Sequence, residues 1–209
     1  GYAFAKAFGH TVTKLAPSLI SFETVEDWPP RLMGLSLRNV TLRAYDGRGR
    51  KKYEELGEML FTHYGVSGPL VLSASAVLAD EPEGAKLTVD LKPGLSEEEL
   101  DKRLLRDFGE NINRHFVNAL DALLPQKLIP VMVSLSGIPE NLLVNGITRE
   151  MRRSFCILMK NLTMSVKRAR PIEEAIVTRG GVNVKEIDPS SMESKLIKGL
   201  FFAGELIDV

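Results

Sequence analysis

The sequence predicts an α+β protein. A small antiparallel β-barrel-like domain carries an inserted all-α subdomain, and pieces of a nucleotide-binding α/β domain flank it. Three observations lead there. Short segments place apolar residues at every second position, as Leu87, Val89 and Leu91 do around Thr88 and Asp90. That is the one-face-buried pattern of antiparallel sheets and small barrels. Between two groups of such segments the period becomes helical, with Leu100, Leu104 and Phe108 on one face and Met151, Phe155, Leu158 and Leu162 on another. The last stretch, Gly199 to Val209, sets an apolar run before Ala203-Gly204-Glu205. It predicts a buried strand ending in a small-small-acid turn, the place where open α/β sheets bind ligands.

The elements follow in order. Gly1 to Gly9 has the spacing of an amphipathic helix that Gly9 stops. His10 to Leu15 alternates as a strand closed by Pro17, and Ser21 to Pro30 is a polar linker or crossover. Leu35, Leu37, Val40, Leu42 and Ala44 mark a strand whose apolar phase slips near Arg38-Asn39, which predicts a bulge. Asp46 to Gly49 is a turn, and Lys52 to Phe61 is the returning strand. Pro69 suits the first position of a helix through Leu78, capped by Ser67 or Gly68 and apolar nearly all round, hence buried. Ser96 and Glu99 form a capping box, with Leu95 and Leu100 placed to staple it. A second helix is expected on Phe116, Leu120, Leu123 and Leu124, stopped by Pro125. A third holds Leu128, Ile129, Met132 and Leu135, ends at Gly137, and has its ladder weakened by Pro130. Strands return at Leu162 to Val166, Ala175 to Thr178 and Val182 to Ile187, the last two joined through Arg179-Gly180-Gly181. The expected organisation is thus an end helix over 1–9, a barrel from 10–95 and 161–187, a helical subdomain over 96–160, and a closing strand and turn over 188–209. Both ends read as cuts through a larger protein.

Composition narrows the function. Lys+Arg and Asp+Glu are balanced at 27 each in 209 residues. This argues against a dedicated nucleic-acid or membrane-surface protein, though local patches remain open. No apolar run has transmembrane length and no signal-peptide pattern is present. The single Cys156 rules out an internal disulfide framework and suits a reducing, cytoplasmic setting. One cysteine and three scattered histidines give no metal-ligand spacing, and no Ser-His-Asp order is visible. His10 and His115 stand isolated, with solvent or local packing as the expectation.

Two constellations carry chemistry. Thr62-His63-Tyr64-Gly65-Val66-Ser67-Gly68-Pro69 delivers a hydroxyl, an imidazole and a phenol to a helix N-terminus. The plainer alternative is a capped helix with a satisfied histidine. Gly180-Gly181 and Gly204-Glu205 lie on two glycine turns that suit the two sides of one cofactor, with Glu205 able to accept from sugar-type hydroxyls. A tight hairpin is the alternative for the first turn. The basic runs Arg48 to Lys52, Arg149 to Arg153 and Lys167 to Arg170 are solvated faces, or a phosphate-binding stripe if they converge.

Four segments together, Gly1 to Ala5, Leu60 to Pro69, Thr178 to Val182 and Gly199 to Val209, resemble the bacterial flavoproteins known as NAD(FAD)-utilising dehydrogenases or aminoacetone-oxidase-like proteins. The resemblance covers essentially the whole chain, in family order. It implies a Rossmann-like FAD domain interrupted by a β-barrel domain with a small helical insert. The first phosphate-binding glycine fingerprint is absent here, as is the glycine-rich segment expected after Asp208-Val209. The resemblance therefore implies an FAD-dependent oxidoreductase parent, with this chain as the insert that covers the flavin and shapes a substrate pocket. Little or no FAD is expected on this chain alone. Its implied partners are the missing Rossmann-like domain, a small-molecule substrate, and NAD(P)H or oxygen. Carried over by position, Gly180, Gly181, Val182, Gly204, Glu205 and Asp208 are cofactor-side candidates. His63 becomes the catalytic candidate, with Tyr64, Ser67 and Gly68 on the substrate side. The rival reading is an RNA- or protein-binding module built on a small barrel with basic strands.

Overall fold

A computed structural model describes residues 1–78 and 82–208. The period-2 segments close into a six-stranded antiparallel barrel. Its strands are β2 (Phe22–Thr24), β3 (Ser36–Tyr45), β4 (Lys51–Phe61), β5 (Gly65–Ser67), β6 (Lys86–Asp90) and β7 (Leu162–Ala169), in the ring order β2-β5-β4-β3-β6-β7. Alternation turns Leu42, Ala44, Leu87, Val89, Met164 and Val166 inward, where they are buried. The expected bulge is present: pairing shifts between Leu37 and Val40, and Asn39 takes the extra residue at φ 55°. The turn after β3 is built by Asp46, whose carboxylate accepts from the Arg48 and Arg50 amides. Helix α3 (Pro69–Leu78) is apolar all round because it packs in the barrel's own core, burying Leu70, Val71, Ala74 and Leu78. Gly57 makes room for it, since a Cβ there would sit 3.0 Å from the Leu70 side chain.

The segment between β6 and β7 contains α4 (Glu97–Glu110), α5 (Ile129–Ser136) and α6 (Arg149–Lys160), with 3₁₀ turns at Phe116–Ala119 and Val144–Gly146. The capping box forms as expected: Glu99 N–H donates to Ser96 Oγ and Ser96 N–H to the Glu99 carboxylate. Apolar contact runs unbroken from the barrel interior through Leu100, Phe116, Met132 and Phe155. At this junction Lys160 on α6 spends its ammonium on Asp90 of β6 at 2.7 Å and on the carbonyls of Lys92 and Leu95. Asp90 is only 3% exposed, so this is a buried pair with its hydrogen bonds supplied.

Several expectations give way. His10 to Leu15 is not a strand; the strand is β1 (Ala16–Ser18), which includes Pro17 and pairs with β8 (Val177–Arg179). Within this sheet β1 has a single partner, so the missing proline N–H is tolerated as on any edge. The polar stretch from Ser21 to Pro30 is no linker. It holds β2 and helix α2 (Trp28–Arg31), and its polarity misled because Glu23 is buried with its charge compensated. The second helix is one 3₁₀ turn followed by turns: the Asn118 and Ala119 amides bond back to His115, while the Phe116 and Val117 amides donate across to Leu142 and Glu140. Pro130 falls in the first turn of α5, where its absent N–H costs no helical bond. Leu162, expected both on the last helix and at the start of the returning strand, begins β7.

The chain ends also differ. Helix α1 (Tyr2–Ala7) forms, and Gly9 follows it at φ 87°. Val182 to Ile187 is not a strand, and Arg179-Gly180-Gly181 is not a hairpin turn: β8 pairs with β1, while Val182 makes single bridges to Val12 and Ile207. From Gly199 to Asp208 there is no strand either, only bridges at Phe201 and Ile207 and a 3₁₀ turn at Gly204–Leu206. The apolar run is buried through Phe202, which joins Ala5, Val182 and Ile187 in a second small cluster. A ladder needs neighbouring strands, and this segment has none among the described residues. Val209 lies outside them.

Replacing Ser96 with Ala removes the α4 cap and is expected to cost about 1 kcal/mol in urea unfolding.

Candidate functional site

The turn between β4 and β5 is held rigidly. Thr62 and Gly65 exchange backbone bonds, Thr62 Oγ1 accepts the Gly65 amide at 3.2 Å, and Thr24 N–H donates to Tyr64 O. Gly65 is required by close approach: a Cβ there would lie 2.4 Å from Phe22 O. Gly68 sits at φ 91° with Leu60 N 2.9 Å from any Cβ, and its carbonyl accepts the Leu72 amide to start α3. The Ser67 hydroxyl is engaged sideways, accepting from Ser21 Oγ at 2.8 Å.

The turn displays His63 and Tyr64. His63 is exposed and meets Tyr64 edge to face at 4.8 Å. The Arg170 guanidinium lies 4.5 Å over the Tyr64 ring. It also forks onto Glu174 and reaches Glu23 at 2.7 Å, while Arg168 grips Glu23 with two bonds. Arg168, foremost, and Arg170 hold the Glu23 carboxyl below its usual range, against the opposing effect of burial. Arg170 in turn holds the Glu174 carboxyl low. The result is a fixed surface of imidazole, phenol and guanidinium. The sequence singles out His63 and Tyr64, places Arg170 only in a basic run, and gives no sign of Glu23. The available signal was the i, i+2 spacing of Arg168 and Arg170, which puts both on one strand face.

The remaining candidates gather around the second small cluster, on the far side of the β1/β8 ribbon. No strand pairing or hydrogen bond among the described residues joins them directly to the His63 turn. Gly180 and Gly181 owe their missing side chains to neighbours within the chain. A Cβ on Gly180 would lie 2.3 Å from Lys14 O, and one on Gly181 2.5 Å from Leu206 O. The Gly181 amide donates to Thr13 Oγ1 and the Val182 amide to Leu206 O. Asp208 accepts from Thr13 Oγ1 at 2.8 Å. Gly204 and Glu205 are exposed on their turn, where the Glu205 carbonyl accepts from the Tyr2 hydroxyl.

The structure also assembles Ser194, His10 and Glu186. Nε2 of the buried His10 is 2.8 Å from Ser194 Oγ, and Nδ1 is 3.0 Å from Glu186 Oε2. The distances are those of a hydrolytic triad. The hydroxyl, however, already accepts from the Leu196 and Ile197 amides. Both lone pairs are taken and its proton goes to His10, so no pair is left to attack a carbonyl. We assign a structural clasp tying the end of α1 to residues 186–197. The reading of His10 as an isolated edge residue was therefore incomplete. Cys156 is a core residue whose thiol burial pushes up to about 11. No group of metal-ligating side chains occurs among the described residues, and no described helix is long and apolar enough to cross a membrane.

A family profile described as "HI0933-like protein barrel and H2TH domain" matches residues 16–177. The chain belongs to the HI0933-like family. The match begins in β1 and ends in β8, so it takes in the barrel and the helices between β6 and β7. Among curated relatives, the 3-dehydro-bile acid delta(4,6)-reductase of Clostridium scindens is 27% identical over 212 residues. The ribosomal RNA dihydrouridine synthases of Haemophilus influenzae and Escherichia coli are 29% and 27% identical. Each alignment covers 100% of this chain and 51%, 49% and 50% of the relative, so the HI0933-like chain spans about half the length of these proteins.

Two outcomes follow from this geometry. Because the Glu23 pKa is lowered in the folded state, its contribution is complete above the reference value of 4.5 and is lost as pH falls through the folded value. Glu23→Gln is expected to be less stable at neutral pH and to show a flatter loss of thermal stability below that value. Gly181→Ala is expected to speed hydrogen exchange at the Val182 and Asp208 amides while leaving that of Val89 in the barrel unchanged.

Proposed function

We propose that this chain is the barrel-and-helix half of an FAD-dependent oxidoreductase that adds hydrogen across a carbon–carbon double bond conjugated to a carbonyl. One observation carries the reading. Relatives that align along the whole chain are named for reductions of unlike substrates, a 3-oxo bile acid and a uridine in ribosomal RNA. What those reactions share is the bond: dihydrouridine is uridine with its ring double bond, conjugated to a carbonyl, reduced. A family that keeps the bond and changes the substrate has its hydride source and proton donor in common.

FAD, with Glu205 at its flank, would supply the hydride chemistry when bound. The chain's residues supply position and a proton. His63, exposed on a turn fixed by Gly65 and Gly68, is the residue assigned to deliver the proton to the carbon that does not take hydride. Arg170, locked by Glu23 and Glu174, fixes the Tyr64 ring beside it. On the cofactor side the residues fit a flank and not a cradle. The Gly181 and Val182 amides and the Asp208 carboxylate have internal partners, whereas Glu205 is exposed and Gly204 has open space around it. Glu205 is the residue to take cofactor hydroxyls. The rest of the flavoprotein would pack on the exposed apolar side chains around the small cluster, Phe4, Phe8, Met192, Leu196 and Phe201. A cytosolic setting suits the single buried thiol.

In the full-length protein, Glu205→Ala is expected to weaken flavin retention. His63→Ala is expected to keep flavin and lose about a hundredfold or more in reduction of a small conjugated enone. Flavin absorbance and turnover, measured on both, decide it. If His63→Ala loses flavin while Glu205→Ala keeps it, the assignment of cofactor and substrate sides is inverted.

A further inference from the structure

The barrel carries an outward row that no segment of sequence contains. Tyr45 of β3 pairs with Lys51 of β4 on one side and Lys86 of β6 on the other, and Lys86 pairs with Ser165 of β7. Their strand neighbours Ala44, Leu87 and Met164 point inward and are fully buried, so these four side chains face out. Adjacent strands lie about 4.8 Å apart, so the row steps across the barrel at that interval. Lys167, two residues beyond Ser165 and exposed, continues it, and exposed Arg48 overhangs it from the β3–β4 turn. A second row, Arg43, Thr88 and Thr163, runs beside it, with the two threonine hydroxyls 3.1 Å apart.

Three carboxylates on this face are already engaged, and a fourth, Glu83, is exposed beside the β3–β4 turn. Glu54 is held by Arg43 at 2.7 Å and by Lys51, Asp90 by Lys160, and Glu26 by the Ser165 amide at 2.8 Å. Lys86 and Lys167 are both exposed and leave the row with positive charge. The chain is neutral overall, so the excess is a property of this face. A half-buried aromatic ring beside the exposed ammonium groups of Lys86 and Lys167 is suited to one repeating ligand, a single-stranded nucleic acid. A base stacks on the ring and successive phosphates meet the ammonium groups. An apolar sterol would find no apolar strip in this row.

We infer that the Lys51–Tyr45–Lys86–Ser165 row, extended by Lys167, binds single-stranded RNA and holds it against this half of the enzyme. The inference rests on the reductase reading for its choice of RNA, since two of the relatives act on ribosomal RNA by name. It gives the substrate a docking surface separate from the His63 turn. The overall charge balance, which argued against nucleic acid, averages this face away.

The test is fluorescence anisotropy of a short labelled oligouridylate with the full-length protein over a range of salt. Lys86→Ala/Lys167→Ala is expected to weaken binding about tenfold and to make the log–log salt slope shallower by about 1.4, two phosphates at roughly 0.7 each. Tyr45→Ala is expected to lose about tenfold through stacking, while Tyr45→Phe, which keeps the ring, stays near the original. Lys198→Ala, on an exposed lysine outside the barrel, serves as the control. If Tyr45→Ala and the double lysine variant bind like the original, or if binding ignores salt, the inference fails. Flavin content and reduction of a small enone are read on the same variants. Retained flavin and enone turnover together with RNA binding that does not depend on the row overturns the RNA surface alone, and RNA binding that needs the row in a protein without flavin overturns the reductase reading alone.

Discussion

The barrel closes through one of its two shortest strands, and that closure depends on one carboxylate. β2 has three residues and must join β5 on one side and β7 on the other. So short a ladder has few backbone bonds to give. Glu23, at its centre, adds side-chain bonds to Arg168 and Arg170 of β7 and its extension. Charge-assisted, forked pairs of this kind are among the stronger polar contacts available at a half-covered site. The same Arg170 lies over Tyr64, so the seam that completes the ring also fixes the side chains next to His63. Fold closure and site geometry share one set of atoms.

A similar economy joins the helices to the barrel. The Lys160 ammonium has three protons and meets three oxygens, from Asp90, Lys92 and Leu95. The apolar core passes beneath it without a break. The helices therefore belong to the same packed body as the barrel, and a description of them as a bead on a flexible tether would not fit. The 3₁₀ turn at Phe116–Ala119 makes the same point, since its first two amides, those of Phe116 and Val117, bond to the segment before α6.

How much of this was legible depended on sequence distance. β3, β4 and β6 showed in their alternation, and the bulge at Asn39 showed as a slip in phase. The capping box and α3 were local patterns, as was the turn bearing His63 and Tyr64. What failed was whatever needed a distant partner. Glu23 made β2 look like linker because the arginines that neutralise it lie 145 and 147 residues away. His10 looked idle because Glu186 and Ser194 are 176 and 184 residues away. The glycines at 180 and 181 were visible, but what they approach is main chain from Lys14 and Leu206, so their smallness says nothing by itself about a ligand. The apolar run at Phe201-Phe202 had strand composition without strand neighbours to pair with.

The ribbon of β1 and β8 has a consequence for how such a protein could have been assembled. Ser18 pairs with Val177 and Ala16 with Arg179, so the chain departs towards the barrel and comes back along adjacent antiparallel tracks. The two crossing points are about one strand spacing apart, near 5 Å. A loop closure that short is already satisfied, whatever lies beyond it, because the entropic cost grows only slowly with the length enclosed. A host protein could thus receive this barrel and its helices as a cassette in place of an ordinary hairpin turn.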